Sequence, residues 1–169
     1  MILASRRVWG LKILILYATR RGTTRRIAEK IADFLRPYQA DLLNVEEVQE
    51  IPALSAYRLV VLGTPIYCEK PLKPVDRLLG DDRFLEAVRR RAVALFVVSI
   101  SRFAAEKFYM PRIKRRLQGA EIVAAEAVGG KFGPVNTVSE EAIARFSEKI
   151  KQWLENQAKT PFASGQPYP

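Results

Sequence analysis

The sequence contains no histidine and only one cysteine, Cys68, in 169 residues. Without an imidazole, no Ser-His-Asp triad, Cys-His pair or imidazole proton shuttle can form. The same shortage excludes the zinc, haem and iron–sulfur sites that histidine and cysteine build. A single cysteine forms no internal disulfide and is typical of a reducing cytoplasm. We therefore predict neither a catalytic side chain nor a metal site, and we expect a bound ligand to supply any chemistry.

Long apolar runs and acidic residues are also scarce. No run approaches the ~18–20 residues that span a bilayer, and the N-terminus lacks the apolar core of a secretory signal. The 18 Asp and Glu residues are outnumbered by 28 Lys and Arg, so the formal charge is +10. Such a surface attracts anions, whether nucleic acid, phosphorylated ligands or acidic lipid headgroups. We predict a cytoplasmic protein and leave open whether it lies at the periphery of a membrane.

Five apolar segments alternate with helical patterns along the chain. They cover residues 11–18, 40–45, 59–63, 92–98 and 121–128. Strands that alternate with helices form a doubly wound parallel sheet, here in a three-layer α/β/α domain. Before the last helix, Thr137 and Glu140 fit a capping box. We predict a short N-terminal extension over residues 1–10, one domain over 11–157, and a flexible C-terminal tail over 158–169, which is rich in Pro, Gly and Ser.

The loop after the first strand combines threonines, arginines and a glycine in residues 19–24. Ligands of such sheets bind beyond the carboxyl ends of the strands. There, the first N–H groups of a helix are unpaired and its dipole favours negative charge. Threonine hydroxyls can add donors, and Gly22 lets the backbone approach closely, so the loop fits a phosphate cradle. The alternative is that the threonines only cap the helix and Gly22 only makes the turn.

Two further loops, residues 64–70 and 99–103, are expected to meet the first loop at one crevice. Neither G-x-x-x-x-G-K-S/T nor G-x-G-x-x-G occurs, so the common NTPase and dinucleotide sites are excluded. Residues 14–29, LILYATRRGTTRRIAE, resemble the opening of flavodoxin-like proteins, whose loop runs S/T-x-T-G-x-T. They are more similar to the menaquinone-dependent protoporphyrinogen dehydrogenase branch, with T-R-D/E-G-x-T-x-x-I-A. Residues 57–67 also resemble the third strand and flavin loop of that branch, whereas Arg21 replaces its acidic residue.

The resemblance implies the strand order 2-1-3-4-5 and a non-covalent FMN, with phosphate at the first loop and isoalloxazine between the other two. Tyr67 is the first candidate to flank the ring and Phe103 the second, since an aromatic face excludes water; both could instead serve packing alone. Cys68 could lie near the flavin, although a buried, inert thiol is the simpler expectation. The implied cofactor-binding residues are Thr19, Arg20, Arg21, Gly22, Thr23, Thr24, Thr64, Pro65, Ile66, Tyr67, Cys68, Ser99, Ile100, Ser101, Arg102 and Phe103.

Two functions remain open at this point. The first is an FMN-binding oxidoreductase or electron carrier that exchanges electrons with a redox partner protein or a quinone. Basic clusters at residues 89–91 and 112–116 would then meet an acidic partner or an anionic membrane surface, unless they only complement helix dipoles. The second is a flavin-free, basic binding module for an acidic protein or nucleic acid. Nucleic acid is the poorer fit because the clusters lack interleaved aromatics; homodimerisation is left open.

Overall fold

In the computed structural model of the protein, residues 10–159 are described. The predicted extension therefore lies outside the described residues apart from Gly10, and so does most of the predicted tail. The first two tail residues, Ala158 and Lys159, belong to the last helix instead. Among the residues described, no helix is both long and apolar enough to cross a bilayer.

Five parallel strands form the main sheet. They are β1 (Lys12–Tyr17), β2 (Gln39–Asn44), β3 (Leu59–Tyr67), β5 (Ala92–Val98) and β6 (Glu121–Ala127). Their order is β2-β1-β3-β5-β6, and every neighbouring pair among them is parallel. This confirms the expected order 2-1-3-4-5. All residues of β5 are buried, as the apolar runs predicted, because helices cover both faces of the sheet.

Helices on each face bury a separate apolar core. The helices are α1 (Thr23–Phe34), α2 (Lys73–Leu78), α3 (Asp82–Val88), α4 (Arg102–Ala104), α5 (Met110–Arg116) and α6 (Glu140–Lys159). On one face, Ile31 of α1 and Phe146 of α6 pack over Phe96 of the sheet. On the other, α2, α3 and α5 cover residues such as Leu62. A π-helical segment (Ala105–Tyr109) joins α4 to α5, where Pro111 cannot donate a backbone hydrogen bond.

The segment 64–70 is not the loop that the sequence predicts. Strand β3 continues to Tyr67, turns at Cys68 and Glu69, and pairs antiparallel with β4 (Lys70–Pro71). Both turn residues have positive φ, 48° and 63°, as a two-residue hairpin turn requires. The apolar run ends at Gly63, but Thr64 and Pro65 still pair with β5, so the sequence pattern underestimates the length of this strand.

The predicted capping box at Thr137 is also wrong. Helix α6 is capped by Ser139, whose Oγ accepts the N–H of Ala142 at 3.1 Å. The Thr137 hydroxyl instead accepts the N–H of Gly130 at 3.1 Å and donates to the carbonyl of Ile100 at 2.9 Å. Thr137 therefore links the loop after β5 to the loop after β6.

Candidate functional site

Loops at the carboxyl ends of β1, β3 and β5 surround one crevice of about 250 Å³. This is where a doubly wound sheet places its ligand. Eleven of the sixteen residues implied by the sequence line it, and four further residues complete it. The implied ones are Thr19, Arg20, Arg21, Thr23, Thr24, Pro65, Ile66, Tyr67, Cys68, Ser99 and Ile100; the additional ones are Val98, Gly130, Lys131 and Phe132.

The first loop leads directly into an uncapped helix. Gly22 precedes α1 with φ 86°, and no side chain caps the helix, so the threonines do not act as the caps that the alternative interpretation required. Instead, Thr19 Oγ1 accepts the N–H of Gly22 at 2.9 Å and closes the turn. The first helical N–H to be bonded in this loop is that of Arg26, which donates to the Gly22 carbonyl. The preceding N–H groups of the first turn are those that a bound anion can use.

Two arginines of this loop extend over aromatic rings. Arg20 Cζ lies 5.4 Å from the ring centroid of Tyr67, and Arg21 Cζ lies 5.0 Å from that of Phe132. Both distances are within the range of cation–π attraction. Neither guanidinium is part of an ion pair with a described carboxylate. Their charges therefore add to the positive helix end, and the crevice favours an anion.

Neighbouring side chains of the first loop are neutral or paired. Burial raises the pKa of Tyr17, at the end of β1, so this phenol is uncharged at neutral pH. Arg25 points along α1, with its Nε 3.1 Å from Glu29 Oε1, and this hydrogen bond raises the pKa of Arg25. The cations that face the crevice from this loop are thus Arg20 and Arg21.

In the β3–β4 hairpin, Thr64 and Cys68 differ from their predicted roles. Thr64 is fully buried; its hydroxyl donates to the Pro65 carbonyl at 2.9 Å and accepts the Leu72 N–H at 3.1 Å. It fastens the hairpin and does not line the crevice. Cys68 is exposed, which corrects the expectation of a buried thiol. Tyr67 is half-buried against the crevice, so it keeps its candidate role.

The third loop reaches the crevice only with Ser99 and Ile100. Ser101 caps α4, its Oγ accepting the Ala104 N–H at 3.1 Å. Arg102 Nε donates to the Ala127 carbonyl at 3.0 Å. Phe103 is 69% exposed, with the Lys107 ammonium 5.3 Å from its ring centroid. The structure does not bring Ser101, Arg102 or Phe103 to the crevice, because the chain has already turned into α4.

The sequence reasoning missed the segment after β6 that closes the crevice. A small hairpin of β7 (Lys131–Phe132) and β8 (Val135–Asn136) brings Phe132 to it. Gly129 makes this approach feasible: its φ is 82°, and a Cβ there would lie 1.9 Å from the Thr137 carbonyl oxygen. The available signal was the Gly-Pro turn between two short segments, which is typical of a hairpin.

Glu126, at the end of β6, anchors the same part of the molecule. Its side chain is 8% exposed and its Oε1 lies 2.6 Å from Arg145 Nη2. Lys149 and Arg102 are 3.8 and 3.9 Å from this carboxylate. The hydrogen bond with Glu126 raises the pKa of Arg145. These contacts join Arg102, at the start of α4, to α6 through the buried carboxylate of Glu126.

Strand order, layer arrangement and the position of the crevice together define a flavodoxin-like α/β protein. A family model described as "Flavodoxin domain" matches residues 14–137. The chain therefore belongs to the flavodoxin family. No curated protein matches the chain.

Solved structures show the same fold at low sequence identity. Two-electron reduced flavodoxin from Megasphaera elsdenii is 16% identical, with a TM-score of 0.66 over 85% of this chain and 98% of that one. Oxidised flavodoxin 1 from Bacillus cereus is 18% identical, with a TM-score of 0.62 over 83% and 97%. A flavoprotein from Lactobacillus acidophilus NCFM in complex with FMN is 21% identical, with a TM-score of 0.54 over 69% and 93%.

Proposed function

We propose that the protein binds FMN non-covalently in this crevice and transfers electrons through it. The observation that carries the proposal is the convergence of an uncapped helix N-terminus, two guanidinium groups and two aromatic rings on one crevice. The donor set suits a phosphate and the rings suit a planar ligand. Bound FMN would supply the redox chemistry, while the chain supplies binding, orientation and the local field.

The first loop would hold the phosphate. Thr19 shapes the turn by its bond to Gly22, and the unpaired N–H groups of Thr23 and Thr24 then point out of the helix end. Arg20 and Arg21 lie within reach of the same crevice and carry positive charge. A doubly charged phosphate is therefore favoured over a neutral ligand by both the helix end and the side chains.

The β3–β4 and β7–β8 hairpins would hold the ring system. Tyr67 comes from the β3–β4 hairpin and Phe132 from the β7–β8 hairpin, and both line the crevice together with Ile66 and Ile100. Aromatic and aliphatic faces exclude water from a planar ligand. Phe132 thus takes the second aromatic role that the sequence interpretation gave to Phe103.

The finer part of the proposal concerns the reaction. The resemblance of residues 14–29 supports a dehydrogenase that passes electrons to a quinone or a redox protein, and the charge of +10 supports an acidic or anionic docking partner. Of the two basic clusters, residues 89–91 immediately precede β5 and so lie at the amino end of the sheet, remote from the crevice. Arg112 lies nearer, in a groove that it shares with Glu69 of the hairpin.

Flavin titration tests the phosphate assignment. Thr24 is 1% exposed and lines the crevice. Thr24→Ala is expected to weaken FMN binding about ten- to a hundred-fold, as the loss of a charge-assisted hydrogen bond requires, and to leave riboflavin binding nearly unchanged. Ser147→Ala is the control, because this buried hydroxyl donates to the Ile143 carbonyl within α6.

Two outcomes of the titration would contradict the proposal. Equal FMN affinity of the parent protein and Thr24→Ala would contradict the phosphate cradle. Failure of the parent protein to bind either FMN or riboflavin would favour the flavin-free binding module.

Flavin fluorescence tests the ring assignment separately. An aromatic ring in contact with the isoalloxazine quenches its emission, so Tyr67→Ala is expected to raise the fluorescence of the bound flavin and to shift its reduction potential. Tyr109→Ala, outside the crevice, is the control. If neither quantity changes in Tyr67→Ala, Tyr67 serves packing alone.

A further inference from the structure

Several large apolar side chains are exposed to solvent on the segments that follow β5 and β6. Phe103, Phe108 and Phe132 are 69%, 46% and 56% exposed. Phe132 also lines the crevice, and Phe103 follows the loop that contributes Ile100 to it. Exposed apolar side chains that lie close together mark a site of interaction with another protein or with a membrane.

Lysines accompany these rings. The Lys107 ammonium lies 5.3 Å from the Phe103 ring centroid and 5.5 Å from that of Phe108, and Lys131 is the immediate neighbour of Phe132. We call Phe103, Lys107, Phe108, Lys131 and Phe132 the aromatic–basic rim. Within residues 99–109 and 129–136, Glu106 is the single acidic residue. The rim therefore combines exposed apolar rings with positive charge.

The segment with Phe103, Lys107 and Phe108 is joined to the β7–β8 hairpin, which carries Lys131 and Phe132. Thr137 Oγ1 donates to the Ile100 carbonyl and accepts from Gly130, which joins the β7–β8 hairpin to the loop before α4. A Cβ on Gly130 would lie 3.0 Å from Ser99 C, so these two segments are in close contact. These contacts therefore place the two segments side by side at the carboxyl end of the sheet.

We propose that the protein docks on an anionic phospholipid bilayer through the aromatic–basic rim. Phenylalanine rings that project into solvent can enter the deformable headgroup region, whereas a protein partner would need a pocket for each. Lysines beside the rings then meet lipid phosphates as the rings enter, which is the combination that interfacial binding uses. Docking in this way would bring the mouth of the crevice to the membrane surface, and it does not depend on whether FMN is bound.

Vesicle co-sedimentation of the 169-residue chain tests the proposal. The protein is expected to bind vesicles of phosphatidylcholine with phosphatidylglycerol, and to bind pure phosphatidylcholine vesicles weakly. Phe103→Ser with Phe108→Ser is expected to lower the partition coefficient about tenfold, and Lys107→Gln with Lys131→Gln by a similar factor. All these side chains are exposed, so thermal unfolding should be unchanged and confirms that the variants fold.

Two matched controls lie at the opposite end of the sheet. Phe34, 47% exposed at the last residue of α1, is changed to Ser, and exposed Arg90 is changed to Gln. Both variants should bind anionic vesicles as the parent protein does. An equal loss in Phe34→Ser, a loss in the lysine variant without a loss in the phenylalanine variant, or capture of acidic polypeptide but not vesicles would each overturn the proposal. Because the assay needs no flavin, its failure leaves the FMN proposal standing.

Discussion

Arg89 and Arg91, at the amino end of β5, bind acceptors within the chain, whereas Arg20 and Arg21, at the carboxyl end of β1, lie over aromatic rings. Before β5, Arg91 Nε donates to the Ala87 carbonyl at 2.8 Å and Arg91 Nη1 to that of Leu54 at 3.2 Å. Arg89 pairs with Glu86 at 3.0 Å. At the other end, Arg20 and Arg21 lie over Tyr67 and Phe132. The same residue type is therefore hydrogen-bonded within the chain at one end and lines the crevice at the other, and net charge alone does not distinguish the two.

The largest expected effect comes from the close packing behind the crevice. In Gly129→Ala, the new Cβ would lie 1.9 Å from a backbone oxygen at a φ of 82°. The left-handed conformation and the steric overlap together should destabilise the fold by about 2–5 kcal/mol, measured by denaturant unfolding.

Gly80→Ala is the matched control for this change. The nearest atom to a Cβ there is the Arg77 carbonyl oxygen at 3.4 Å, which is ordinary contact. Its stability should stay within about 0.5 kcal/mol of the parent protein. Equal stabilities of the two variants would show that the β7–β8 hairpin can move away from the crevice.

Two arginine variants test directly whether arginines at the two ends of the sheet have different roles. Arg91→Ala removes two hydrogen bonds to carbonyl groups and should cost about 1–3 kcal/mol of unfolding free energy, with FMN affinity unchanged. Arg21→Ala should leave stability within about 0.5 kcal/mol and weaken FMN binding about tenfold, since it removes a cation from the crevice. Unfolding free energy and FMN affinity are measured for both variants. Weaker FMN binding in Arg91→Ala together with lower stability in Arg21→Ala would contradict the assigned roles of the two ends.

Substitution of Glu126 tests whether an internal ion pair stabilises the carboxyl end of the sheet. Glu126→Gln keeps the shape of the side chain but removes the charge that contacts Arg145 and Lys149. The melting temperature should fall by about 2–4 °C, because the surrounding cations remain largely solvated. Glu86→Gln, which removes an exposed partner of Arg89, should change it less; a larger fall in Glu86→Gln would refute the role of Glu126.

The smallest expected effect is an alkaline loss of stability. Burial raises the pKa of Tyr17, Tyr38 and Tyr57 above the ordinary value of 10.0. The folded state therefore holds these protons more tightly than the unfolded state. Stability from this source is complete below pH 10 and declines as pH rises through the folded-state pKa values. Denaturant unfolding at increasing pH measures it.

Tyr57→Phe separates one tyrosine from the others. Its hydroxyl donates to Asp41 at 2.8 Å, so the variant loses stability at neutral pH but should lose less on further alkalinisation. A pH dependence identical to that of the parent protein would mean that Tyr57 does not contribute.

Much of the fold was predictable because it depends on local pattern. The apolar runs of β1 and β5 can be buried only between two helical layers, and their alternation with helices limits the topology. The turn at residues 19–24 was also predictable, since a glycine and threonines between a strand and a helix favour a tight turn that leaves the first N–H groups of the helix unpaired. These inferences need no knowledge of distant parts of the chain.

The remaining features depend on contacts between segments far apart in sequence. From the sequence alone, Thr137 was predicted to cap a helix. In the structure its hydroxyl instead bonds the Gly130 N–H and the Ile100 carbonyl, which lie in two different loops. Phe132 lines the crevice because Gly129 and Gly130 allow its segment to approach neighbouring loops closely. Phe103 does not line the crevice, because α4 already begins at Arg102. The sequence by itself therefore determined the sheet and the turn between β1 and α1, while only the tertiary structure decided which aromatic and basic side chains surround the crevice, since their positions depend on how the loops pack.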